Sequence, residues 1–196
     1  MAFLEKLSHK IGDDLVRSGV VKEEDAEVYI YGINQILAYV FNAFSSLIIG
    51  LIFGVTFEII IFMAAYIPLR SFAGGYHAKT PLRCYIFSVI MLIVVSIGLK
   101  YLSVSEWVYY AVLLVSVLGI LVLSPVEDRN KPLDEMEHKV YKKRAVIIAA
   151  IELPISGLLK LAGLDSLLVA VVYSFAILAF MLVAGKIKNH VKKCKT

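Results

Sequence analysis

The sequence holds little charge and very little cysteine. Charged residues make up 18 % of the 196 residues, and Cys84 and Cys194 are its two cysteines. Two cysteines cannot build a disulfide framework, so free thiols in a reducing compartment are the simpler expectation. The four histidines are scattered and show no spacing typical of a metal site, so we expect no metal and no other cofactor.

Apolar residues dominate instead. They make up 60 % of the chain, and the mean hydropathy is +0.81. They occur in blocks whose lengths are close to the roughly 20 residues that a helix needs to cross a bilayer. We predict an all-α polytopic membrane protein of about six transmembrane helices, forming a single domain over 1–196. The spans are placed at 33–53, 55–69, 85–102, 107–125, 145–161 and 166–185. The second is short and the fifth carries Glu152 and Pro154, so four or five crossings with a re-entrant piece also fit.

The distribution of basic residues predicts the orientation. With the N-terminus in the cytoplasm, only Lys100 and Lys160 of the 20 lysines and arginines face outward. Such an asymmetry follows the positive-inside rule and favours an even number of spans. Both termini, a basic tail over 186–196 and the loop after the second span are therefore expected on the cytoplasmic side.

The first 30 residues form a cytoplasmic amphipathic segment that is separate from the spans. Phe3, Leu4, Leu7, Ile11 and Leu15 recur at helical spacing among charged residues. The segment has charges throughout and no continuous apolar core, unlike a cleaved signal. A helix on the inner leaflet and a helix packed against the protein's own loops fit equally well.

The segment 68–88, PLRSFAGGYHAKTPLRCYIFS, is the most polar stretch between two apolar spans. Cys84 is a candidate nucleophile, and His77 is the candidate base that takes its proton. Lys79 and Arg83 add positive potential that favours a thiolate. The plain alternative is that Cys84 packs, His77 is solvated and the basic residues anchor the inner face.

Geometry sets a condition on this pair. Seven residues on one straight helix span about 10.5 Å, far beyond the roughly 2.6–3.2 Å reach of a nucleophile–base hydrogen bond. Pro81 breaks a helix and pushes Thr80 towards an extended conformation. We therefore predict a helix that ends near Thr80 and another that starts near Pro81, with Cys84 in its first turn, at the positive end of the helix dipole.

Three neighbouring residues have candidate supporting roles. Gly74 and Gly75 permit close backbone approach, and they would let a substrate strand pass or donate N–H groups to an oxyanion. Arg70 is suited to bidentate binding of a carboxylate, either a substrate's or that of Glu58.

The spacing of Arg70, Gly74, Gly75, His77, Ala78, Cys84 and Ser88 resembles the accessory gene regulator B (AgrB) family of bacterial membrane peptidases, which process quorum-sensing propeptides. The later stretch SPVEDRNKPL, over 124–133, is also similar to that family, and length and span number agree. The resemblance covers most of the chain.

The resemblance implies a cysteine endopeptidase at the cytoplasmic face of a bacterial cell membrane. Cys84 would cleave an AgrD-like propeptide, and a propeptide cysteine or serine would then displace it to form a thiolactone or lactone. His77 would act as general base and then as acid–base. A homodimer is also implied, and no nucleic-acid partner is expected.

Further residues are candidates for orienting the pair or for binding the substrate. Asn34 or Gln35 is a candidate third catalytic group that orients His77, and Ser88 lies one turn after Cys84. The cluster Lys142, Lys143 and Arg144 would attract an acidic propeptide tail or simply anchor the helix. The intramembrane carboxylates Glu58 and Glu152 are functional suspects, although Glu58 lies towards the outer face; Asp128 has no assigned role.

Two other functions compete with the peptidase. A small transporter or exporter subunit would use the polar segment as a gate, and a scaffold would present the propeptide to another protease. Neither alternative needs a nucleophile at Cys84.

Overall fold

A computed structural model describes residues 2–76, 80–127 and 133–193, and these form seven α-helices. The helices are α1 (Ala2–Arg17), α2 (Ala26–Phe53), α3 (Thr56–Ala73), α4 (Pro81–Tyr101), α5 (Glu106–Leu123), α6 (Glu135–Leu161) and α7 (Asp165–Lys193). A short 3₁₀ turn, Glu23–Asp25, leads into α2. Within these ranges the β-structure is limited to one isolated bridge between Gly74 and Val126.

Five of these helices, α2, α3, α4, α5 and α7, are long and apolar enough to cross a membrane. They coincide with five of the six predicted spans, which confirms an all-α polytopic membrane protein. The remaining span, 145–161, lies within α6, where Glu152 and Lys160 interrupt the apolar stretch. A crossing by α6 therefore stays a prediction.

Contacts at the two ends of α6 show how it runs through the bundle. Near its start, Tyr141 meets the ring of Phe72 at the end of α3, with centroids 5.7 Å apart. Near its end, Lys160 Nζ lies 2.6 Å from Glu106 at the start of α5 and 2.9 Å from Asp165 at the start of α7. The helix thus extends from one end of the bundle to the other, which supports the sixth crossing.

The centre of the bundle is α7. In its most apolar stretch 44 % of the residues are buried, against 11–33 % in the other four candidate spans. It packs against α3, α5 and α6, and Phe175, Leu178 and Leu182 are fully buried there. An apolar helix surrounded by other helices is the pattern expected of a bundle core. The ends of α3, α5 and α7 are thereby brought close together.

α1 packs against the start of α2 through a face that includes most of the predicted stripe, since Leu4 is buried and Leu7, Ile11 and Leu15 are half-buried. Leu4, Ser8 and Gly12 are buried, whereas Phe3 is 73 % exposed. Gly12 allows this packing, since a Cβ there would overlap the side chain of Ile30. Packing against the protein's own chain is therefore present in the structure, although the helix it meets is α2 rather than a loop. Contact of Phe3 with the inner leaflet stays a prediction.

The α2–α3 hairpin supplies a test of the packing. A Cβ on Gly50 would lie 2.9 Å from Thr56 Cα, so Gly50→Ala forces the helices apart. We expect this substitution to lower the stability by about 1–3 kcal/mol, measured as a lower thermal midpoint in detergent by circular dichroism. Gly157→Ala is the matched control, because nothing lies within 4 Å of its Cβ position. Equal midpoints for the two variants would contradict the close approach.

Candidate functional site

The site is built around the glycine pair at the end of α3. Gly74 ends the helix at φ 73°, and its N–H donates to the Arg70 carbonyl at 3.0 Å. The Val126 N–H donates to Ala73 O at 2.9 Å, and the Gly75 N–H donates to Val126 O at 3.2 Å. A Cβ on Gly74 would overlap Val126 O. This position therefore requires glycine for both its conformation and its contact.

This end of α3 corrects the sequence-based prediction. The helix before Pro81 ends at Ala73, seven residues before the expected end near Thr80. The physical reason is the positive φ of Gly74, which a continuing α-helix cannot contain. The new helix does start at Pro81, as predicted.

The same segment continues onto α7. The Tyr76 N–H donates to Met181 O at 2.9 Å. A Cβ on Gly185 would lie 2.8 Å from the Gly75 carbonyl carbon and 2.9 Å from Tyr76 N. The N–H groups of Gly74, Gly75 and Tyr76 are thus all engaged by main-chain carbonyls. Because the N–H groups of Gly74 and Gly75 already donate to carbonyls, they are not available to an oxyanion. The geometry of the two glycines fits a role in orienting the segment that follows.

Arg70 fixes the segment from the other side. Its Nη1 donates to Gly74 O at 3.1 Å, and its Nη2 donates to Tyr76 O. Glu58 lies 12 residues earlier on α3, about 18 Å along the helix axis, so it is not the partner of this guanidinium. Arg70 holds its own chain here, and its predicted binding of a substrate carboxylate stays a prediction.

Cys84 lies in the first turn of α4, and it is exposed. Thr80 caps the helix with its side chain, which accepts from the Arg83 N–H at 3.3 Å, and Pro81 occupies the first helical position. The Cys84 N–H donates to Thr80 O at 3.0 Å. The thiol therefore sits at the positive end of a well-capped helix, open to a substrate.

His77 and Lys79 lie outside the described residues, so the distance from His77 to Cys84 stays untested. The residues on either side of them both meet α4. Thr80 is its cap, and the Tyr76 ring contacts Phe87 edge-on, with centroids 5.5 Å apart. Phe87 lies one turn after Cys84. The chain on either side of His77 is thus attached to the first turns of the helix that bears Cys84.

The C-terminal part of α7 also belongs to the site, although the sequence analysis treated 186–196 only as a basic tail. Lys188 Nζ lies 5.0 Å from the centre of the Tyr76 ring. Asn189 Nδ2 donates to Glu127 O at 2.8 Å, next to the bridge at Val126. Met181, Gly185, Lys188 and Asn189 recur at helical spacing, which was the available sequence signal.

Two tyrosines were also missed. Tyr85 hydrogen-bonds to Ser45 at 3.0 Å and packs on Phe41, which fixes the start of α4 against α2. Tyr66, on α3, is buried one turn before Arg70, and its ring stacks on Phe62. In the sequence, Tyr66 looks like one more apolar residue of a span.

The remaining candidates are spread around this end of the bundle. Ser88 Oγ donates to Cys84 O at 3.1 Å, within its own helix. Asn34 is half-buried and Gln35 exposed. Both lie at least ten residues before Ser45, about 15 Å along α2, and their role beside His77 stays untested.

The basic candidates are open to solvent. Arg83, Lys142, Lys143 and Arg144 are exposed, and Arg144 lies over the Phe72 ring at 5.2 Å. Asp128 lies outside the described residues. Glu152 has a buried Oε2 with no hydrogen-bond partner in the described part of the chain. The same part contains no group of three potential metal ligands.

Comparison with known proteins points to one family. The sequence model of accessory gene regulator B matches residues 5–185. A putative AgrB-like protein of Listeria monocytogenes is 25 % identical over 194 residues, 95 % of each chain. Putative AgrB-like protein 2 of Clostridium perfringens is 26 % identical over 76 % of this chain and 74 % of its own. Protein FsrB of Enterococcus faecalis is 33 % identical over 55 % of this chain and 45 % of its own. No solved structure matches.

The close contact of Gly185 with Gly75 and Tyr76 predicts that a side chain at position 185 weakens the attachment of this segment to α7. Gly185→Ala pushes the methyl group into Gly75 and Tyr76, so the hydrogen bond from Tyr76 to Met181 weakens. We expect amide exchange of a peptide covering 74–76 to become about 5- to 150-fold faster in hydrogen–deuterium exchange, as a loss of about 1–3 kcal/mol implies. Gly119→Ala is the control, since its Cβ would make an ordinary 3.7 Å contact with Ala179. If the exchange rate in Gly185→Ala equals that of wild type, the close contact of Gly75 and Tyr76 with α7 is refuted.

Proposed function

Since the chain belongs to the accessory gene regulator B (AgrB) family, we propose that it is a membrane cysteine endopeptidase that cleaves and cyclises an AgrD-like propeptide. Membership of the family implies the processing of a quorum-sensing propeptide; the residues and steps are our proposal. The observation that carries it is the exposed thiol of Cys84 in the first turn of α4, the helix that Tyr76 and Thr80 contact on either side of His77.

The first step is an acyl transfer to Cys84. His77 takes the thiol proton, and the sulfur attacks the carbonyl carbon of the peptide bond at the C-terminal end of the future signal. The tetrahedral intermediate collapses with cleavage of the C–N bond. His77 returns the proton to the leaving nitrogen, so the tail departs with a neutral amino group. The rest of the peptide stays bound to Cys84 as a thioester.

The second step closes the ring. A cysteine or serine side chain within the propeptide gives its proton to His77 and attacks the thioester carbonyl. Cys84 leaves as a thiolate and regains the proton, which yields a thiolactone or a lactone. A thioester-to-thioester exchange is nearly balanced, whereas hydrolysis is downhill, so the site must exclude water. Phe41, Tyr85 and Phe87 supply apolar surface beside the first turns of α4 for this purpose.

The surrounding residues orient the pair and attract the substrate. Gly74, Gly75 and Arg70 hold the main chain before His77. Asn34 or Gln35 would orient His77, and Ser88 supports the α4 turn. The exposed basic side chains attract an acidic propeptide tail; these are Lys79, Arg83, Lys142, Lys143 and Arg144. We further propose six crossings, both termini and the site on the cytoplasmic side, and a homodimer.

A matched cysteine comparison tests the nucleophile. In proteoliposomes with the propeptide encoded beside this chain's gene, wild type and Cys194→Ser should release the tail and a cyclic product one water lighter than the linear peptide. Cys84→Ser should lower the rate by at least about 10³-fold, and His77→Ala by about 10²–10⁴-fold. The measurement is mass spectrometry of the products over time.

The outcomes separate the three functions. Processing by Cys84→Ser at the wild-type rate would refute the nucleophile. If processing then required another protease, the chain would be a scaffold. Transport that persists without any processing would support an exporter subunit.

The orientation has its own test. In a Cys194→Ser background, a membrane-impermeant maleimide should label Cys84 in permeabilised cells but not in intact cells. A second chain with Cys84→Ser and Ser103→Cys, in the exposed link between α4 and α5, should label in intact cells. Labelling of Cys84 from outside would reverse the proposed topology.

A further inference from the structure

The side chain of Tyr76 links the bundle core to the start of α4. Its ring meets Phe87 of α4 edge-on, with centroids 5.5 Å apart and planes at 69°. Lys188 Nζ, on α7, lies 5.0 Å from the centre of the same ring. Both distances fall within the ranges of attractive aromatic and cation–π contacts. The ring of Tyr76 is therefore held between α7 and α4.

The main chain of Tyr76 is also held. Its N–H donates to Met181 O at 2.9 Å, and its carbonyl accepts from Arg70 Nη2. Met181 and Lys188 are seven residues apart, which is two turns along one face of α7. The main chain and the ring thus contact the same face of the central helix, so the ring has a defined position relative to the core.

The start of α4 is less firmly packed than the rest of that helix. Over 81–90 every side chain is exposed or half-buried, whereas the buried side chains of α4 begin at Leu92. Tyr85 attaches this stretch to α2, and Phe87 attaches it to Tyr76. Two residues correspond to about 200° around a helix, so the two attachments lie on opposite sides of α4. Together they fix the first turns of α4 sideways.

Cys84 lies on the Tyr76 side of α4. It precedes Phe87 by three residues, which is about 4.5 Å along the axis and about 60° around the helix. A shift of Phe87 would therefore move the thiol as well. Attack requires reacting atoms about 3–3.5 Å apart, and a misplacement of about 1 Å costs about 10²-fold in rate. The rate of cleavage should therefore depend on how Phe87 is held.

We propose that Tyr76 is a positioning residue: its ring, supported by Lys188, sets the position of Phe87 and thereby of the Cys84 thiol relative to the segment that leads to His77. This inference rests on the proposed function and adds a role for side chains other than the nucleophile and its base. Tyr76 forms no bond to the substrate and transfers no proton.

Tyr76→Leu tests the contact, because it keeps an apolar side chain and removes the ring. We expect kcat for propeptide cleavage in proteoliposomes to fall by about 10- to 100-fold. KM should change by less than about twofold, since the surface that binds the substrate is kept. Tyr76→Phe retains the ring, so its kcat should stay within about twofold of wild type.

Two further variants separate the ring contact from the fold. Phe87→Leu removes the partner ring and should lower kcat to a similar extent; Phe87 is 46 % exposed, so this variant carries the test where Tyr76→Leu disturbs folding. The double variant should be no slower than the slower single variant, because both remove one contact. Tyr101→Leu is the matched control. Lys100 Nζ lies 5.5 Å from the Tyr101 ring at the other end of α4, and kcat there should equal that of wild type.

Lys188→Met tests the support from α7, because it keeps an unbranched side chain and removes the charge. We expect kcat to fall by about 2- to 5-fold at constant KM, the effect of losing a cation–π contact at a partly exposed site. A raised KM with an unchanged kcat would show that Lys188 attracts the propeptide instead, and would overturn its supporting role.

The remaining outcomes separate this inference from the proposed function. Wild-type kcat in both Tyr76→Leu and Phe87→Leu, with Cys84→Ser inactive, would overturn the inference and leave the peptidase intact. Losses that multiply in the double variant would also overturn it, since the two rings would then act independently. Normal cleavage by Cys84→Ser would refute the proposed function itself.

Discussion

The main-chain hydrogen bond from Tyr76 N–H to Met181 O holds the site together. A non-helical segment near a membrane needs partners for its polar groups, because unsatisfied ones cost several kcal/mol each. The Met181 carbonyl is accessible because Gly185, one turn later, has no side chain to cover it. Val126 completes the arrangement by exchanging two hydrogen bonds with the end of α3. These backbone contacts thus join the end of α3 to the segment that follows α5 and to the C-terminal half of α7.

This set of backbone hydrogen bonds explains why the polar residues of the chain gather at the end of α3 and the start of α4. It fixes Tyr76 against α7, and Arg70 fixes the carbonyl of the same residue from α3. The proposed base follows immediately, and the proposed nucleophile lies on the next helix, which Thr80 and Pro81 start at a defined residue. The functional groups therefore come from loops and helix ends, while the apolar bodies of α3, α5 and α7 supply the rigid frame. We place the thiol at the boundary of the membrane, where propeptide can reach it and water can be displaced.

The sequence predicted those features that depend on local chemistry. Long apolar runs identified the helices, and the pair Thr80–Pro81 identified the start of α4. Features that depend on distant neighbours were missed. The end of α3 at Ala73 depends on Val126 facing Gly74, and the role of Lys188 and Asn189 depends on α7 lying beneath that turn. The packing face of α1 was predicted only in part, because Ser8 and Gly12 are not apolar, yet their small size lets α2 approach.

The central claim is a covalent intermediate on Cys84, and acid-quenched intact-protein mass spectrometry tests it most directly. The substrate is the propeptide with its cyclising cysteine or serine replaced by alanine, so that the second step cannot proceed. The account predicts that the tail is released and that the protein gains the mass of the remaining peptide, taken as its free acid, less one water. Hydroxylamine should remove this added mass, as expected for a thioester, and Cys84→Ser should show neither the tail nor the thioester. Release of the tail with no adduct at any time point, under conditions where cleavage outpaces hydrolysis, would contradict the account.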